Sequence, residues 1–306
     1  MKLLLFGGRG QVGWQLRRVL PLLGELVVAE RESTACCGDL LRPEAIRDTI
    51  LCVKPQVVVN AAAFTAVDRA EVEPDLAFAV NARACEAIAQ ATTEIGSWLV
   101  HYSSDYVYRG DGTRPWVETD PCQPLSMYGR SKLAGDRAVG SNPRHLILRT
   151  SWVFDSWGGN FLKSILKAAR ERDELAVVCD QWGAPTRAAT IADVTALALR
   201  QLCSEPDTWS RAGIYHLASA GETHWHAYAC FAIEQALAGG LSLRARPDNV
   251  RAISTAEYPA RAPRPANSRL DTTRLRSTFG IHLPHWGDGV SAVVAELLQR
   301  PSFAAD

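Results

Sequence analysis

Residues 2–16 read KLLLFGGRGQVGWQL, and how this stretch is parsed decides the fold. KLLLF (2–6) has the apolar run of a buried strand, the glycines end it, and QVGWQL opens a helical pattern. The glycines stand at 7, 10 and 13, the spacing G-x-x-G-x-x-G. Without side chains, Gly7 and Gly10 let the backbone come close to a pyrophosphate. The N–H groups and the positive end of the following helix then face that anion. Gly13 lets the helix and strand pack closely. A glycine pattern alone is a weak signal, and a tight structural turn would leave the same trace. A strand before it and a helix after it, at the head of a β/α alternation, are the context that a dinucleotide cradle requires.

The alternation continues outward from that stretch. ELVVA (25–29), QVVVN (56–60), WLVHYSS (98–104) and HLILRT (145–150) read as further buried strands. Helical periodicity fills the intervals QVGWQLRRVLPLL (11–23), PEAIRDTILCV (43–53) and DLAFAVNARACEAIAQATTEIG (75–96). Near-continuous apolar strands separated by helices predict an α/β fold, a doubly wound parallel sheet covered on both faces. Residues 1–150 form its dinucleotide-binding part. After residue 150 the rhythm loosens. Helices are expected near 160–171, 190–203 and 225–238, and short strands at LAVVC (175–179) and GIYHLA (213–218). A Pro/Arg-rich loop, EYPARAPRPANSRL (257–270), and an amphipathic helix, GVSAVVAELLQR, close the chain. Residues 151–306 are therefore expected to be mainly a smaller, substrate-binding C-terminal lobe, with some segments returning to the core. Such a lobe would sit over the strand ends where open parallel sheets bind ligands.

Composition narrows the function classes. Across 306 residues, 33 basic and 33 acidic side chains cancel, so no basic excess recommends nucleic acid or a membrane surface as a partner. The start is too short in apolar residues for a signal-peptide core, and no run is long enough to span a bilayer. The 8 cysteines lack C-x-x-C spacing, which fits reduced thiols in a cytoplasmic protein better than a disulfide framework. HWH (His224, His226) has the wrong spacing for one helix face, and HLPH (His282, His285) is interrupted by Pro284, so no metal site is expected. A small molecule is the default ligand.

The end of the second strand, VVAERES (27–33), bears on which dinucleotide binds. Glu30 can accept hydrogen bonds from a ribose diol, which favours NADH. Arg31 beside it, and Arg9 in the glycine loop, can hold a 2′-phosphate. Both cofactors stay open, with a lean to NADPH because that pool is kept reduced in cells. CCGDLL (36–41) places Asp39 and Leu40 after a third short strand, where an acid can hold the adenine amine and a leucine can cover the ring; Asp39 also reads as a turn residue. Strand 98–104 delivers Ser103, Ser104 and Asp105 to the crevice. Some two dozen residues on, YGRSKLAGD (128–136) puts Tyr128 one helical turn before Lys132, on one face.

Taken together, the glycine loop, VNAAAFTAVDRAE (59–71), Ser104 and Tyr128-x-x-x-Lys132 resemble the extended short-chain dehydrogenase/reductase family. GQVGWQL, LVHYSSDYVY, YGRSKLAGD, RTSWVF (149–154) and DQWGAPT (180–186) resemble, more narrowly, its dTDP-4-dehydrorhamnose reductases, over residues 1 to about 299. The resemblance implies a Rossmann sheet and NAD(P)H-dependent reduction of a 4-keto sugar nucleotide, dTDP-4-dehydro-L-rhamnose. By the same resemblance Gly10, Gln11, Val12, Glu30, Asp39, Leu40, Ala63, Phe64, Thr65, Tyr102, Tyr128 and Lys132 line the cofactor. Ser104, Asp105 and Trp152 meet the sugar nucleotide, and Arg264 and Arg269 pair with its diphosphate; Trp152 also reads as an aromatic that packs the lobe. Tyr128 would give the proton. A free phenol has a pKa near 10, and a neighbouring ammonium is expected to lower it. Lys132 would also hold the nicotinamide ribose, and Ser104 the substrate oxygen.

The chain departs from that pattern in places. Ser104 stands where the family often has threonine, which keeps the hydroxyl but loses the methyl that restricts its rotamers. Phe64 stands where histidine or tyrosine is common, beside Ala63 and Thr65, whose contacts would come from the backbone. The family can also join subunits through Mg²⁺ and glutamates, but position 15 is glutamine here, so the sequence supports neither that metal nor a choice between monomer and homodimer. A 4,6-dehydratase would carry Asp-Glu after Ser104, whereas this chain has Asp105-Tyr106. An epimerase of the same fold shares the tyrosine and lysine but consumes no reduced cofactor. A non-catalytic regulatory subunit has no need of Ser104, Tyr128 and Lys132.

Overall fold

The computed structural model describes residues 1–33, 36–204 and 208–300. Its strands are β1 (Lys2–Phe6), β2 (Glu25–Ala29), β3 (Val57–Asn60), β4 (Trp98–Ser104), β5 (His145–Thr150) and β6 (Val153–Phe154), then β7 (Leu175–Val178), β8 (Trp182–Gly183), β9 (Thr186–Arg187), β10 (Gly213–His216), β11 (Thr223–His224) and β12 (Val250–Ile253). The helices are α1 (Gln11–Val19), α2 (Pro43–Val53), α3 (Val67–Ala70), α4 (Pro74–Phe78), α5 (Ala84–Glu94) and α6 (Met127–Val139). They continue as α7 (Phe161–Glu171), α8 (Ala188–Ser204), α9 (Trp225–Ala238), α10 (Thr273–Phe279) and α11 (Trp286–Leu298).

Six strands make one parallel sheet in the order β10-β5-β4-β3-β1-β2. Runs such as Val57–Val59 are fully buried because helices cover both faces, so β-branched side chains pack on either side of the pleat. β1 and β3 are adjacent, and the chain leaves them in opposite directions. The strand order therefore reverses between them, and ligands of such sheets sit at the carboxyl ends beside that reversal. The register carries straight across: Phe6 pairs with Asn60, and Asn60 with His101. Farther along, Ser104 of β4 lies beside Thr150 of β5.

Two predicted elements differ. The segment 75–96 is not one helix: five residues, Ala79–Arg83, form a π-helical turn between α4 and α5. Among the described residues no third strand precedes Asp39; Cys37 makes an isolated bridge to Glu30.

The chain after residue 150 divides its packing. The buried faces of α8, Tyr215 of β10 and Leu275 of α10 join the core on one face of the main sheet, with Leu3, Val59 and Val100. Segments α7, α9, α11, β7 and β12 build a separate core around Phe154, Leu166, Tyr228 and Val293. Among the described residues no helix is long and apolar enough to cross a membrane.

Candidate functional site

A cleft of about 950 Å³ runs along the carboxyl ends of β1, β4 and β5. Its floor begins at the glycine loop. Gly7 has φ +79°, a left-handed conformation, and a methyl there would lie 2.4 Å from the Ala62 nitrogen. At Gly13 a methyl would meet the Gly7 carbonyl oxygen at 2.0 Å, so α1 approaches the loop only because this residue is glycine. Gly10 differs: a methyl there finds no protein atom nearer than 3.5 Å, so packing does not require its bareness. It precedes α1, whose first turn no side chain caps. Backbone N–H groups at a helix N-terminus, with no side chain in front of them, fit a pyrophosphate.

Gln11, Val12, Glu30, Arg31, Asp39 and Leu40 continue the lining. The acids and arginines there are paired with one another. Glu30 accepts from Arg9 at 2.8 Å and faces Arg17 at 3.8 Å, while Arg31 lies 3.5 Å from Asp39. Of these groups Arg9, Arg31, Glu30 and Asp39 line the cleft, so its two guanidinium groups and two carboxylates balance there, with Arg17 behind Glu30.

On the opposite wall, Ala63, Phe64 and Thr65 line the cleft at the exit of β3. Asn81, on the π-helical turn, fixes this segment. Its Oδ1 accepts from the Phe64 N–H at 2.9 Å, and its Nδ2 donates to the Phe64 carbonyl and to Ser131 Oγ, both at 3.0 Å. Tyr102 also lines the cleft, with its hydroxyl 2.8 Å from that of Thr195.

The reactive end gathers Ser104, Asp105, Tyr128, Lys132 and Trp152. Ser126 caps α6, accepting from the Gly129 N–H at 3.1 Å, which sets Tyr128 in the first turn and Lys132 one turn on. Lys132 is buried, and its ammonium donates to the Tyr102 carbonyl at 2.7 Å and lies 3.3 Å from His101 Nε2. Ser104 Oγ donates to Asp105 Oδ1 at 3.0 Å and accepts from the Tyr106 N–H at 3.1 Å. Asp105 is buried, and this pushes its carboxyl up to about 6 despite the hydroxyls of Ser268 and Ser104.

One electrostatic expectation is overturned. The Tyr128 phenol is raised, not lowered: burial pushes it up, the Asp105 charge adds to that, and the Ser104 hydroxyl opposes both. Lys132 is itself pulled down by burial, while its ammonium donates to the Tyr102 carbonyl and lies beside His101.

Trp152 holds φ +48°, a conformation uncommon for a bulky residue, and its ring stacks on Trp225 at 3.7 Å. It packs the lobe and lines the cleft at once. Of the residues singled out from the sequence, Gly13, Arg264 and Arg269 do not line the cleft. Gly13 supports the loop from behind. Arg264 is paired with Asp68 at 2.6 Å, and Arg269 with Glu222 at 2.6 Å while its guanidinium lies 4.7 Å over Trp182. Each arginine is thus paired with an acid, Arg264 with Asp68 and Arg269 with Glu222.

Three participants escaped the sequence reading: Asn81, Trp225 and the loop 155–160. Asn81 sat inside an apparently continuous helix. Trp225 stood between two histidines that drew the attention. His224 instead caps α9 and His285 caps α11, while His226 binds the Val250 carbonyl at 2.7 Å. The loop is held to the glycine loop by Trp157 Nε1 donating to the Arg9 carbonyl at 3.1 Å and Asn160 Nδ2 donating to Gln11 Oε1 at 2.9 Å. Gln15 donates to Asp155 at 3.1 Å, and among the described residues no group of three or more His, Cys, Asp or Glu could hold a metal ion.

The family described as "RmlD substrate binding domain" matches residues 1–299. The dTDP-4-dehydrorhamnose reductase of Escherichia coli K12 is 47% identical over 97% of this chain and 98% of its own. The solved dTDP-4-dehydrorhamnose reductase of Clostridium acetobutylicum superposes with a TM-score of 0.87 at 30% identity, covering 98% of this chain and 100% of that one. The Bacillus anthracis dTDP-4-dehydrorhamnose reductase, solved in complex with NADP, gives 0.85 at 29% identity over 96% of this chain and 99% of that one. The glycine cradle, the Ser104–Tyr128–Lys132 group and this whole-length similarity lead to one assignment: the chain belongs to the dTDP-4-dehydrorhamnose reductase family.

Proposed function

We propose that this protein reduces the C4 keto group of dTDP-4-dehydro-L-rhamnose to the hydroxyl of dTDP-L-rhamnose, using NADPH. The observation that carries the reading is a single cleft holding the glycine cradle at one end and Ser104, Tyr128 and Lys132 at the other. A relative solved with NADP, and the guanidinium groups of Arg9 and Arg31 lining the cleft beside Glu30 and Asp39, favour the phosphorylated cofactor.

Bound NADPH supplies the hydride. Glu30, Arg9 and Arg31 hold its adenosine end, and Lys132 holds the nicotinamide ribose. Tyr128 gives a proton to the carbonyl oxygen as C4 is reduced. Because burial raises the phenol, it keeps its proton through neutral pH and stands loaded for the reductive direction. Ser104 reorients its O–H from Asp105 to the substrate oxygen and shares the charge that develops there. Asp105, released from that bond, is free to accept from a sugar hydroxyl, and Trp152 walls the sugar pocket with Trp225 behind it.

The test is the disappearance of nicotinamide absorbance when purified protein meets NADPH and the keto-sugar nucleotide. Consumption that rises with the nucleotide is expected, with one NADPH used per hydroxyl formed. Folded protein that consumes none ends the reading, and interconversion of sugars without net consumption transfers it to an epimerase.

A further inference from the structure

Lys132 is a charged group with almost no access to water, so what surrounds its ammonium decides how it works. β4 presents the Tyr102 carbonyl at 2.7 Å and His101 Nε2 at 3.3 Å. α5 contributes the Cys85 thiol, and α6 itself contributes Tyr128 one turn before and Asp136 one turn after. Asp136 is taken up by Arg149 of β5, at 3.0 Å and equally buried. An ammonium has three N–H bonds and no lone pair. With two of them given to β4, one remains for the cleft that Lys132 lines.

We propose that His101 is a positioning residue for Lys132: its imidazole Nε2 accepts one ammonium N–H and, with the Tyr102 carbonyl, fixes the direction of the bond left for the cleft. The role rests on the reductase reading, in which that bond reaches the nicotinamide ribose. With Nε2 as the acceptor, the ring proton belongs on Nδ1, where the Cys85 sulfur at 4.0 Å can accept it; Asn60 Nδ2, 3.3 Å from Nδ1, is itself a donor and gives its N–H to the same sulfur at 3.6 Å, its Oδ1 being taken by the Ala62 N–H. The parallel register places Asn60 directly beside His101. Burial, and Lys132 itself, hold His101 well below the usual histidine range, so the imidazole stays neutral and never competes for charge. Burial likewise raises Cys85 to about 11, so the sulfur is a thiol and adds no charge of its own. The ammonium thus rests on uncharged acceptors, with the nearest acid held by Arg149.

The experiment compares His101→Leu, which deletes the acceptor, with His101→Gln, whose carbonyl can replace Nε2. In His101→Leu the alkaline limb of kcat is expected to move down by about one pH unit, because an ammonium stripped of an acceptor gives up its proton more readily. kcat/KM at neutral pH is expected to fall by about 10- to 100-fold. His101→Gln is expected to restore the limb and to keep kcat/KM within about threefold of the parent. Should the leucine protein fail to fold, His101→Met fills a similar volume and carries the same expectation. A merely structural histidine would lower the melting temperature in every variant and leave the limb where it was; that result overturns the proposal, as does failure of glutamine to rescue. Activity of the unmodified protein reports on the reductase reading by itself, so the two can fail separately.

Discussion

Tyr128 shows how far spacing carries and where it stops. An i, i+4 pair can be read from YGRSK because helical geometry fixes which residues share a face. Its proton affinity cannot, because burial and the Asp105 charge come from elements far away in sequence. The raised phenol makes a clean prediction: Tyr128→Phe loses roughly two to four orders of magnitude in turnover. NADPH binding, followed by fluorescence, should change by no more than about threefold, since the lost hydroxyl is not what holds the dinucleotide. Asp105 gives the second residue-scale prediction. Its folded-state carboxyl, near 6 against 3.8 unfolded, binds a proton that the unfolded chain has released, so stability declines as pH rises through that interval. Replacing it with asparagine should remove that decline. Between pH of about 4 and about 6.5, the parent should lose on the order of 2–3 kcal/mol relative to Asp105→Asn in urea unfolding. Parallel stability curves for the two proteins would show that this carboxyl is not the group that titrates.

At the scale of elements, the five-residue π turn between α4 and α5 carries more than its length suggests. π turns inside helices are rare and gather at functional sites. This one aims Asn81 at the Phe64 backbone, holding both its N–H and its carbonyl, and at Ser131 on the tyrosine helix. One side chain thereby locks the cofactor wall to the element that carries Tyr128. The apolar pattern of 75–96 gave no hint of it, because one extra residue per turn barely disturbs a hydrophobic stripe. The strands, by contrast, were plain: uninterrupted Val and Leu runs leave little choice for a sheet buried on both faces. Asn81→Ala strands the Phe64 groups and is expected to cost roughly 2–4 kcal/mol in chemical unfolding. NADPH should also bind at least about fivefold more weakly as the 63–65 wall loosens. Unchanged binding alongside lost stability would reduce the turn to scaffolding.

Across the whole molecule, the path after β5 was the least legible part. α8, β10 and α10 return to the sheet, yet between them lie segments of the second core with similar hydrophobic content, so composition does not mark the crossings. Arg264 and Arg269 illustrate the same limit: the acids they pair with, Asp68 and Glu222, come from segments remote in sequence that the loop itself does not announce. The two cores meet where the loop 155–160 lies on the glycine loop. Trp157 stacks on Trp14 at 4.2 Å and donates to the Arg9 carbonyl, and Asn160 donates to Gln11. The glycine-loop backbone is therefore held in shape by a segment that follows β6. Trp157→Phe removes the indole N–H while keeping an aromatic ring against Trp14, and Asn160→Ala removes the second bond. Each exposed or half-exposed hydrogen bond is worth about 1 kcal/mol, so the double variant should raise the NADPH dissociation constant by about 5- to 20-fold. Neither side chain reaches the reacting atoms, so kcat at saturating cofactor should stay within about twofold of the parent. If kcat falls while binding holds, the loop acts on the geometry at C4 and not on the cradle.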